Sequence, residues 1–121
     1  MADKILFVDD DPDTLDAYKR ILSPEFKIDL ADGAASGFAA VERNGPYSVV
    51  ISDMRMPVMT GAEFLGQVRQ RASDTVRMLL TGDTDLGSAI EAVNQGNIFR
   101  FLTKPCKRED YPDSAHPETI R

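Results

Sequence analysis

The chain has 121 residues, of which 42% are hydrophobic and 28% are charged, a balance typical of one globular domain. Its net charge is −6. An acidic chain without a local lysine and arginine cluster repels the nucleic-acid backbone, so we expect no direct nucleic-acid partner. No apolar run approaches the roughly 18 residues of a membrane span, and the N-terminus lacks an apolar signal core. The single cysteine, Cys106, excludes an internal disulfide and agrees with a cytoplasmic protein.

The first half of the chain predicts three strands and two helices in alternation. A β-rich run at Lys4–Val8 precedes a helix with Asp11 as its N-cap and Pro12 as its first residue. Apolar residues at helical spacing predict its buried face: Leu15, Tyr18, Ile21 and Leu22. The elements that follow are a strand at Phe26–Leu30, an alanine-rich helix at Ala34–Glu42 with Phe38 and Val41 on one face, and an apolar strand at Tyr47–Ser52.

The second half continues the alternation after a loop. Pro57 and Gly61 predict that loop over Met54–Gly61. The elements after it are a helix at Ala62–Arg71 with Phe64, Leu65 and Val68 inward, a strand at Val76–Leu80, a helix capped by Asp83 or Thr84 that runs through Val93, and a strand at Ile98–Leu102. Apolar strands that alternate with helices predict an α/β fold, in which helices cover both faces of a parallel sheet.

Polar side chains follow four of the predicted strands at their carboxyl ends. In an open parallel sheet, ligands bind beyond that edge. The residues there are Asp9, Asp10 and Asp11 after the first strand, Asp53 after the third, Thr81 after the fourth and Lys104 after the fifth. Carboxylates in one cleft repel one another, and Mg2+, which prefers oxygen ligands, relieves that repulsion. The set predicts phosphoryl transfer to Asp53, with Lys104 and the Thr81 hydroxyl on the phosphoryl oxygens.

Each of these residues also has a purely structural interpretation when it is taken alone. Asp11 fits an N-cap better than a ligand. Asp9 and Asp10 suit a turn at the end of a strand, and Thr81 suits the strand end itself. Lys104, before a proline, suits a solvated turn. Their placement together at one edge of the sheet favours the functional interpretation.

Receiver domains of two-component response regulators, the CheY-like superfamily, have four signature blocks. The chain resembles them at ILFVDDDP, VVISDMRMPVMTG, MLLTG and FRFLTKP, which cover Lys4 to about Pro105. The resemblance implies a flavodoxin-like three-layer sandwich with a five-stranded parallel sheet in the order 2-1-3-4-5. It places the receiver domain at residues 1–106 and an atypical tail at residues 107–121.

The resemblance also implies a role for each matching position. These are Asp53 as phosphoacceptor and Mg2+ ligand, Asp10 as main acidic Mg2+ ligand, Asp9 as its partner through water, Arg55 as the backbone carbonyl ligand, Thr81 as switch hydroxyl, Phe101 at the switch aromatic and Lys104 as phosphate-binding lysine. The bond between Lys104 and Pro105 matches one that is usually cis in the family. The implied protein is a signalling switch rather than an ordinary enzyme. Its expected partners are a sensor histidine kinase or phosphotransfer protein as donor and an output domain or partner protein downstream.

Some positions depart from the family pattern. Phe101 has no hydroxyl, so only its ring position can report the switch. Thr60 stands where an aspartate often precedes Gly61, and we expect little effect. Two alternatives stay open. A phosphatase or hydrolase with an aspartate nucleophile usually has a second catalytic aspartate two residues later, where this chain has Arg55. A receiver that acts only in protein interaction would not need the intact set of site residues. The segment from Thr81 to Pro105 resembles receivers fused to HD-type phosphodiesterases.

The tail is the largest departure, because the family's fifth helix would begin near Arg108. Pro112 and Pro117 interrupt the segment, and no apolar stripe runs along it. We therefore expect a short or missing fifth helix, an exposed strip on the fifth strand and a homodimer that covers it. A monomer with an irregular tail is the alternative. His116 is expected to be solvated and Cys106 to be a packing residue.

Overall fold

Five parallel strands form one sheet, and four helices pack on it, within residues 4–22, 26–82, 85–96 and 98–103, which this computed structural model describes. The strands are β1 (Lys4–Val8), β2 (Lys27–Ala31), β3 (Val49–Asp53), β4 (Val76–Thr81) and β5 (Arg100–Thr103). The helices are α1 (Pro12–Leu22), α2 (Ala34–Asn44), α3 (Gly61–Arg71) and α4 (Leu86–Asn94). The strand order β2-β1-β3-β4-β5 confirms the predicted flavodoxin-like fold. No helix in the described ranges has the length and apolarity to span a membrane.

Alternate side chains of the strands enter two hydrophobic cores, one on each face of the sheet. The core on the α2, α3 and α4 side includes Leu6, Val50, Phe64, Leu79 and Ala89. The core on the α1 side includes Ile5, Phe7, Leu22, Ile51 and Leu80. Every residue of β3 is buried, which explains its near-continuous apolar sequence, because a central parallel strand has both faces covered. Full burial of one large side chain contributes about 1.5–3 kcal/mol, so the two cores hold the sheet in place.

Side-chain caps fix the start of two helices at the carboxyl edge of the sheet. Asp11 Oδ1 accepts the backbone N–H of Asp13 at 3.2 Å and confirms the predicted N-cap of α1. Thr60 caps α3 in a capping box, in which its hydroxyl accepts the N–H of Glu63 at 3.1 Å and the Glu63 carboxylate accepts the N–H of Thr60 at 3.0 Å. Both caps position the loops that carry the acidic residues.

Several predicted boundaries were wrong by a few residues. The N-cap position of α4 is Asp85, and its side chain makes no capping hydrogen bond, whereas the predicted caps Asp83 and Thr84 lie outside the described residues. Ile21 of α1 was predicted to face the hydrophobic core, but it is 45% exposed. Strand β3 starts at Val49 and includes Asp53, β4 includes Thr81, and β5 starts at Arg100. The β-propensity of single residues predicts strand ends poorly, because pairing with neighbouring strands determines where a strand ends.

The expected exposed strip on the fifth strand is not found at its central apolar residue. Leu102 is 4% exposed and packs in the core on the α1 side together with Met78 and Leu80. The prediction of an exposed strip is therefore wrong for Leu102. The tail, with Cys106 and His116, begins beyond the described residues, so the state of the fifth helix and the homodimer stay predictions.

Candidate functional site

Three aspartates meet at the carboxyl edge of the sheet. Asp9 and Asp10 directly follow β1, and Asp53 is the last residue of the neighbouring strand β3, where Val8 pairs with Ser52. One carboxylate oxygen of each aspartate lies within 4.8 Å of the other two. Asp9 and Asp53 are 2% and 4% exposed, whereas Asp10 is exposed. The structure thus brings together the three acidic residues that the sequence pattern placed there.

The acidic cluster has the donor set of a site for a hard divalent cation. All three groups offer carboxylate oxygens, and two of the three are buried, where mutual repulsion between ionised carboxylates is poorly screened. A cation with oxygen ligands would offset that repulsion, and Mg2+ has this preference and retains several waters beside few protein carboxylates. One side of the cluster is open to solvent through Asp10, which leaves room for those waters and for a phosphate oxygen. The residues present therefore fit Mg2+.

Backbone contacts hold the strand ends that carry the carboxylates. Asp9 accepts the N–H of Asp11 at 3.0 Å through Oδ1 and donates its own N–H to the carbonyl of Ala31 at 3.1 Å. Directly after β3, the N–H of Gly61 donates to the carbonyl of Met54 at 2.7 Å. These bonds hold the backbone beside the cluster on both strands.

Gly61 allows the first turn of α3 to close on the end of β3. A Cβ atom at this position would lie 2.0 Å from the carbonyl oxygen of Asp53 and 2.8 Å from its carbonyl carbon. Since both are backbone atoms, no side-chain movement could relieve the contact. The sequence placed Gly61 in a loop because glycine breaks regular structure, but its role is close approach at the first residue of a helix.

Thr81 lies on β4, the strand next to β3, and Phe101 lies on the edge strand β5 beyond it. Thr81 ends β4, one residue beyond Leu80, which pairs with Asp53. Its side chain is fully buried, and its hydroxyl donates to the carbonyl of Gly82 at 3.2 Å. Phe101 lies on β5 and packs, partly buried, against the core on the α2, α3 and α4 side. Their switch roles stay predictions, and Lys104 lies outside the described residues.

The Arg55 side chain makes a contact that the sequence did not reveal. Its Nε donates to Asp85 Oδ2 at 2.8 Å and its Nη2 to Asp85 Oδ1 at 3.3 Å. The hydrogen bond to Asp85 and the charge of Asp85 raise the pKa of Arg55, and the charge of Asp53 raises that pKa further. The sequence assigned only a backbone role to Arg55, because thirty residues separate it from Asp85 and no short-range pattern joins them.

A cleft of about 530 Å³ opens beside the acidic cluster. It lies between the loop after β3 and the start of α4, and Asp10, Arg55, Thr60, Asp85 and Ser88 are among the residues that line it. The cleft reaches the acidic cluster at Asp10, which lines it. The contact between Arg55 and Asp85 lies on the same cleft.

Comparison with known proteins agrees with this geometry. Residues 5–115 match the family model described as response regulator receiver domain. The chain is 39% identical over 108 residues to the hydrogenase transcriptional regulatory protein HoxA of Cupriavidus necator, with 87% of this chain and 22% of that protein covered. Among solved structures it is similar to a response regulator receiver domain protein from Clostridium thermocellum (TM-score 0.86, 30% identity, 95% and 91% covered). It is also similar to a structure described as adenylate cyclase from Rhodopirellula baltica (TM-score 0.89, 39% identity, 95% and 85% covered). The chain thus spans less than a quarter of the length of HoxA.

Proposed function

We propose, on the premise that this chain belongs to the response regulator receiver domain family, that it is a switch which accepts a phosphoryl group on Asp53 with Mg2+. The observation that carries the proposal is the convergence of Asp9, Asp10 and Asp53 within 4.8 Å at the end of neighbouring strands. A sensor histidine kinase or phosphotransfer protein is the proposed donor. An output domain or a partner protein would receive the signal, as befits a chain similar to part of a transcriptional regulator.

The proposed reaction is a displacement at phosphorus. A carboxylate oxygen of Asp53 attacks the phosphorus atom, and a new P–O bond forms while the bond from phosphorus to the donor atom breaks. The electron pair of the broken bond leaves with the donor, which is a histidine nitrogen or, with acetyl phosphate, the acetate oxygen. Asp9, Asp10 and the backbone carbonyl of Arg55 would hold Mg2+, which supplies charge neutralisation on the phosphoryl oxygens when it is bound. Lys104 would serve another phosphoryl oxygen as a point charge.

The buried Thr81 hydroxyl supports a switch in the same domain. It now donates to the carbonyl of Gly82 at 3.2 Å, and a phosphoryl oxygen on Asp53 would be a stronger, charged acceptor. If the hydroxyl turns toward that oxygen, the Phe101 ring can enter the space it leaves. The surface formed by α4 and β5, where Ile90 and Phe99 are exposed, would then change shape for its partner.

The alternative functions are less well supported. A hydrolase that uses an aspartate nucleophile would need a second carboxylate near Asp53 on the same loop, but Arg55 stands two residues later and is hydrogen-bonded to Asp85. A domain that acts only in protein interaction would have no reason to keep three carboxylates close together, since their repulsion lowers stability. The proposed compartment is the cytoplasm, where a lone cysteine remains reduced.

Intact mass spectrometry tests the proposal directly. Wild type, Asp53→Asn and Asp16→Asn would each be incubated with acetyl phosphate, with Mg2+ or with a chelator. Asp16 is an exposed aspartate on α1, outside the cluster, and is the matched control. We expect one phosphoryl adduct on wild type and on Asp16→Asn with Mg2+ only, and none on Asp53→Asn. An adduct of equal yield on Asp53→Asn would show that the assignment is wrong.

A further inference from the structure

An ion pair joins the loop after β3 to the start of α4. Arg55 donates from Nε and Nη2 to the two oxygens of Asp85, at 2.8 and 3.3 Å. A guanidinium and a carboxylate that share two such bonds are held in one relative orientation. The Arg55 side chain is 72% exposed and that of Asp85 is 20% exposed. The pair therefore lies at the surface of the cleft, where the guanidinium can exchange one acceptor for another at small cost.

The start of α4 has few other fixed points among the described residues. Asp85 occupies the N-cap position without a side-chain capping bond, and the buried residues of α4 are Ala89 and Ala92, whose side chains bury little apolar area. Helices with Leu or Phe at such positions gain more from burial. The position of the first turn of α4 therefore depends strongly on the polar contacts of Asp85.

The polar contacts of Asp85 connect the start of α4 with Thr81 and with Arg55, which follows Asp53. The N–H of Asp85 donates to the carbonyl of Gly82 at 3.1 Å, and the same carbonyl accepts the hydroxyl of Thr81 at 3.2 Å. Through its carboxylate, Asp85 contacts Arg55, which lies two residues after Asp53 and whose pKa is raised by the charge of Asp53 as well as by Asp85. Thr81 is thus connected to Asp85 through one intermediate residue, Gly82, and Asp53 through one, Arg55.

Phosphorylation would shift the competition for the Arg55 guanidinium. Without phosphorylation, Asp53 and Asp85 each offer one carboxylate. A phosphoryl group raises the charge at Asp53 to about −2 and adds strong acceptor oxygens. Arg55 lies two residues after Asp53, the last residue of β3, and its side chain already lines the cleft beside the acidic cluster. The phosphorylated Asp53 would then attract the Arg55 guanidinium more strongly than Asp85 does.

We propose that the ion pair between Arg55 and Asp85 is a latch on the start of α4, which the phosphoryl group on Asp53 opens by attracting the guanidinium. In this role Arg55 is a positioning residue for α4 in the unphosphorylated protein. The latch rests on the proposed function, since it needs phosphorylation at Asp53. It adds to that function a second route to α4, by way of Arg55, beside the route through Thr81 and Gly82.

A double-mutant cycle with beryllofluoride and Mg2+, a stable mimic of the phosphoryl group, tests the latch. The proteins are wild type, Asp85→Asn, Arg55→Gln and the double variant, with Arg71→Gln as a control that breaks the surface pair with Glu42. Affinity would be measured by fluorine NMR, and exchange of the first-turn amides of α4 by mass spectrometry. Because coupling between sites is reciprocal, opening the latch must also strengthen binding at Asp53.

The expected result is that Asp85→Asn binds beryllofluoride about threefold more tightly than wild type, a size in keeping with an exposed ion pair. In the Arg55→Gln background the same substitution should have no effect. The first-turn amides of α4 should exchange faster in Asp85→Asn without beryllofluoride, and they should also exchange faster in wild type once beryllofluoride is bound. Arg71→Gln should match wild type in affinity and exchange.

Each other outcome has a distinct meaning. If Asp85→Asn tightens binding equally in the Arg55→Gln background, the effect is that of a removed negative charge, and the latch is overturned. If neither affinity nor exchange changes although wild type takes up a phosphoryl group by mass, the latch is overturned while the proposed function stands. If wild type takes up neither phosphoryl group nor beryllofluoride, the proposed function fails and the latch fails with it. Melting curves identify any variant that does not fold, and Asp85→Ser is the substitute for Asp85→Asn.

Discussion

The two edges of the sheet both bury polar side chains but satisfy them differently. At the amino edge, the buried Tyr47 donates its hydroxyl to Asp29 at 2.6 Å, and the buried Thr75 donates to the carbonyl of Tyr47 at 2.8 Å. At the carboxyl edge, the carboxylates of Asp9, Asp10 and Asp53 lie within 4.8 Å of one another. The two buried hydroxyl groups at the amino edge thus have acceptors within the protein, while the carboxyl edge concentrates carboxylates.

The two edges of the sheet therefore contribute differently to stability and to ligand binding. A buried hydroxyl with a hydrogen-bond partner adds about 1 kcal/mol to the free energy of unfolding. A buried hydroxyl without a partner lowers that free energy, so removing the partner is destabilising. Several ionised carboxylates in one cleft lower stability until a cation binds. The strands are therefore held by their apolar faces and by the amino edge, and the carboxyl edge is free to hold residues that suit a ligand. Substitutions at the two edges should differ accordingly.

The largest effect is expected where the backbone itself forms the carboxyl edge. Gly61→Ala would place a Cβ atom 2.0 Å from the Asp53 carbonyl oxygen, so α3 must move away from β3. We expect a loss of about 3 kcal/mol in the free energy of unfolding, at the upper end for overpacking, together with weaker Mg2+ binding. Urea unfolding and metal titration measure both. The control is Gly87→Ala in α4, where a Cβ atom meets nothing within 4 Å and a small gain is expected. Equal stability of the two variants would contradict the prediction.

Bound Mg2+ should offset the loss in free energy of unfolding that repulsion within the acidic cluster causes. At a hundredfold excess over its dissociation constant, a cation that binds only the folded state adds about 2.7 kcal/mol to the free energy of unfolding. Asp10→Asn should lose most of this gain because one ligand becomes neutral, and it should be slightly more stable than wild type without metal because repulsion falls. Thermal melts with Mg2+ and with a chelator give both numbers. If the melting temperature of wild type did not change on addition of Mg2+, the cation site would be ruled out.

The sequence predicted the site better than it predicted the helices around it. Asp9, Asp53 and Thr81 were placed together correctly because parallel strands bring their carboxyl ends to one edge, which topology alone decides. The strand order followed from the resemblance in the signature blocks. The acidic cluster could therefore be found without any knowledge of side-chain contacts.

Contacts between distant segments could not be predicted in the same way. The pair of Arg55 and Asp85 joins two loops, and its geometry depends on where α4 begins, which the sequence misplaced. Ile21 appeared buried because helical spacing marks a face but does not fix its width. The capping box of Thr60 and Glu63 did have a signal in the sequence, a threonine followed three residues later by glutamate.

The amino edge should give a pH dependence of stability at alkaline pH. Burial, and then the hydrogen bond to Asp29, raises the pKa of Tyr47 above its usual range. A group whose pKa is higher in the folded state stabilises fully below its unfolded pKa, about 10 for tyrosine. That contribution is lost as the pH rises above this value. Tyr47→Phe should cost about 1–2 kcal/mol at pH values near 8, and the difference from wild type should shrink as the pH rises above 10. Urea unfolding of both proteins at several pH values measures it, and a difference independent of pH would speak against a buried phenol that titrates with unfolding.

The smallest effect is expected at Thr60, a polar group at the carboxyl edge that is satisfied within the protein. Its hydroxyl and the Glu63 carboxylate cap each other's backbone N–H groups at the start of α3. Thr60→Ala removes one of the two bonds and should lower the free energy of unfolding by about 1 kcal/mol, whereas Thr60→Ser keeps the hydroxyl and should cost much less. Because Thr60 lines the cleft but is absent from the acidic cluster, Mg2+ affinity should stay near that of wild type in both variants. Denaturant unfolding and metal titration separate the two properties. If Thr60→Ala weakened Mg2+ binding as much as Asp10→Asn does, the capping contact would belong to the site, and stability and ligand binding would not be separable at this edge.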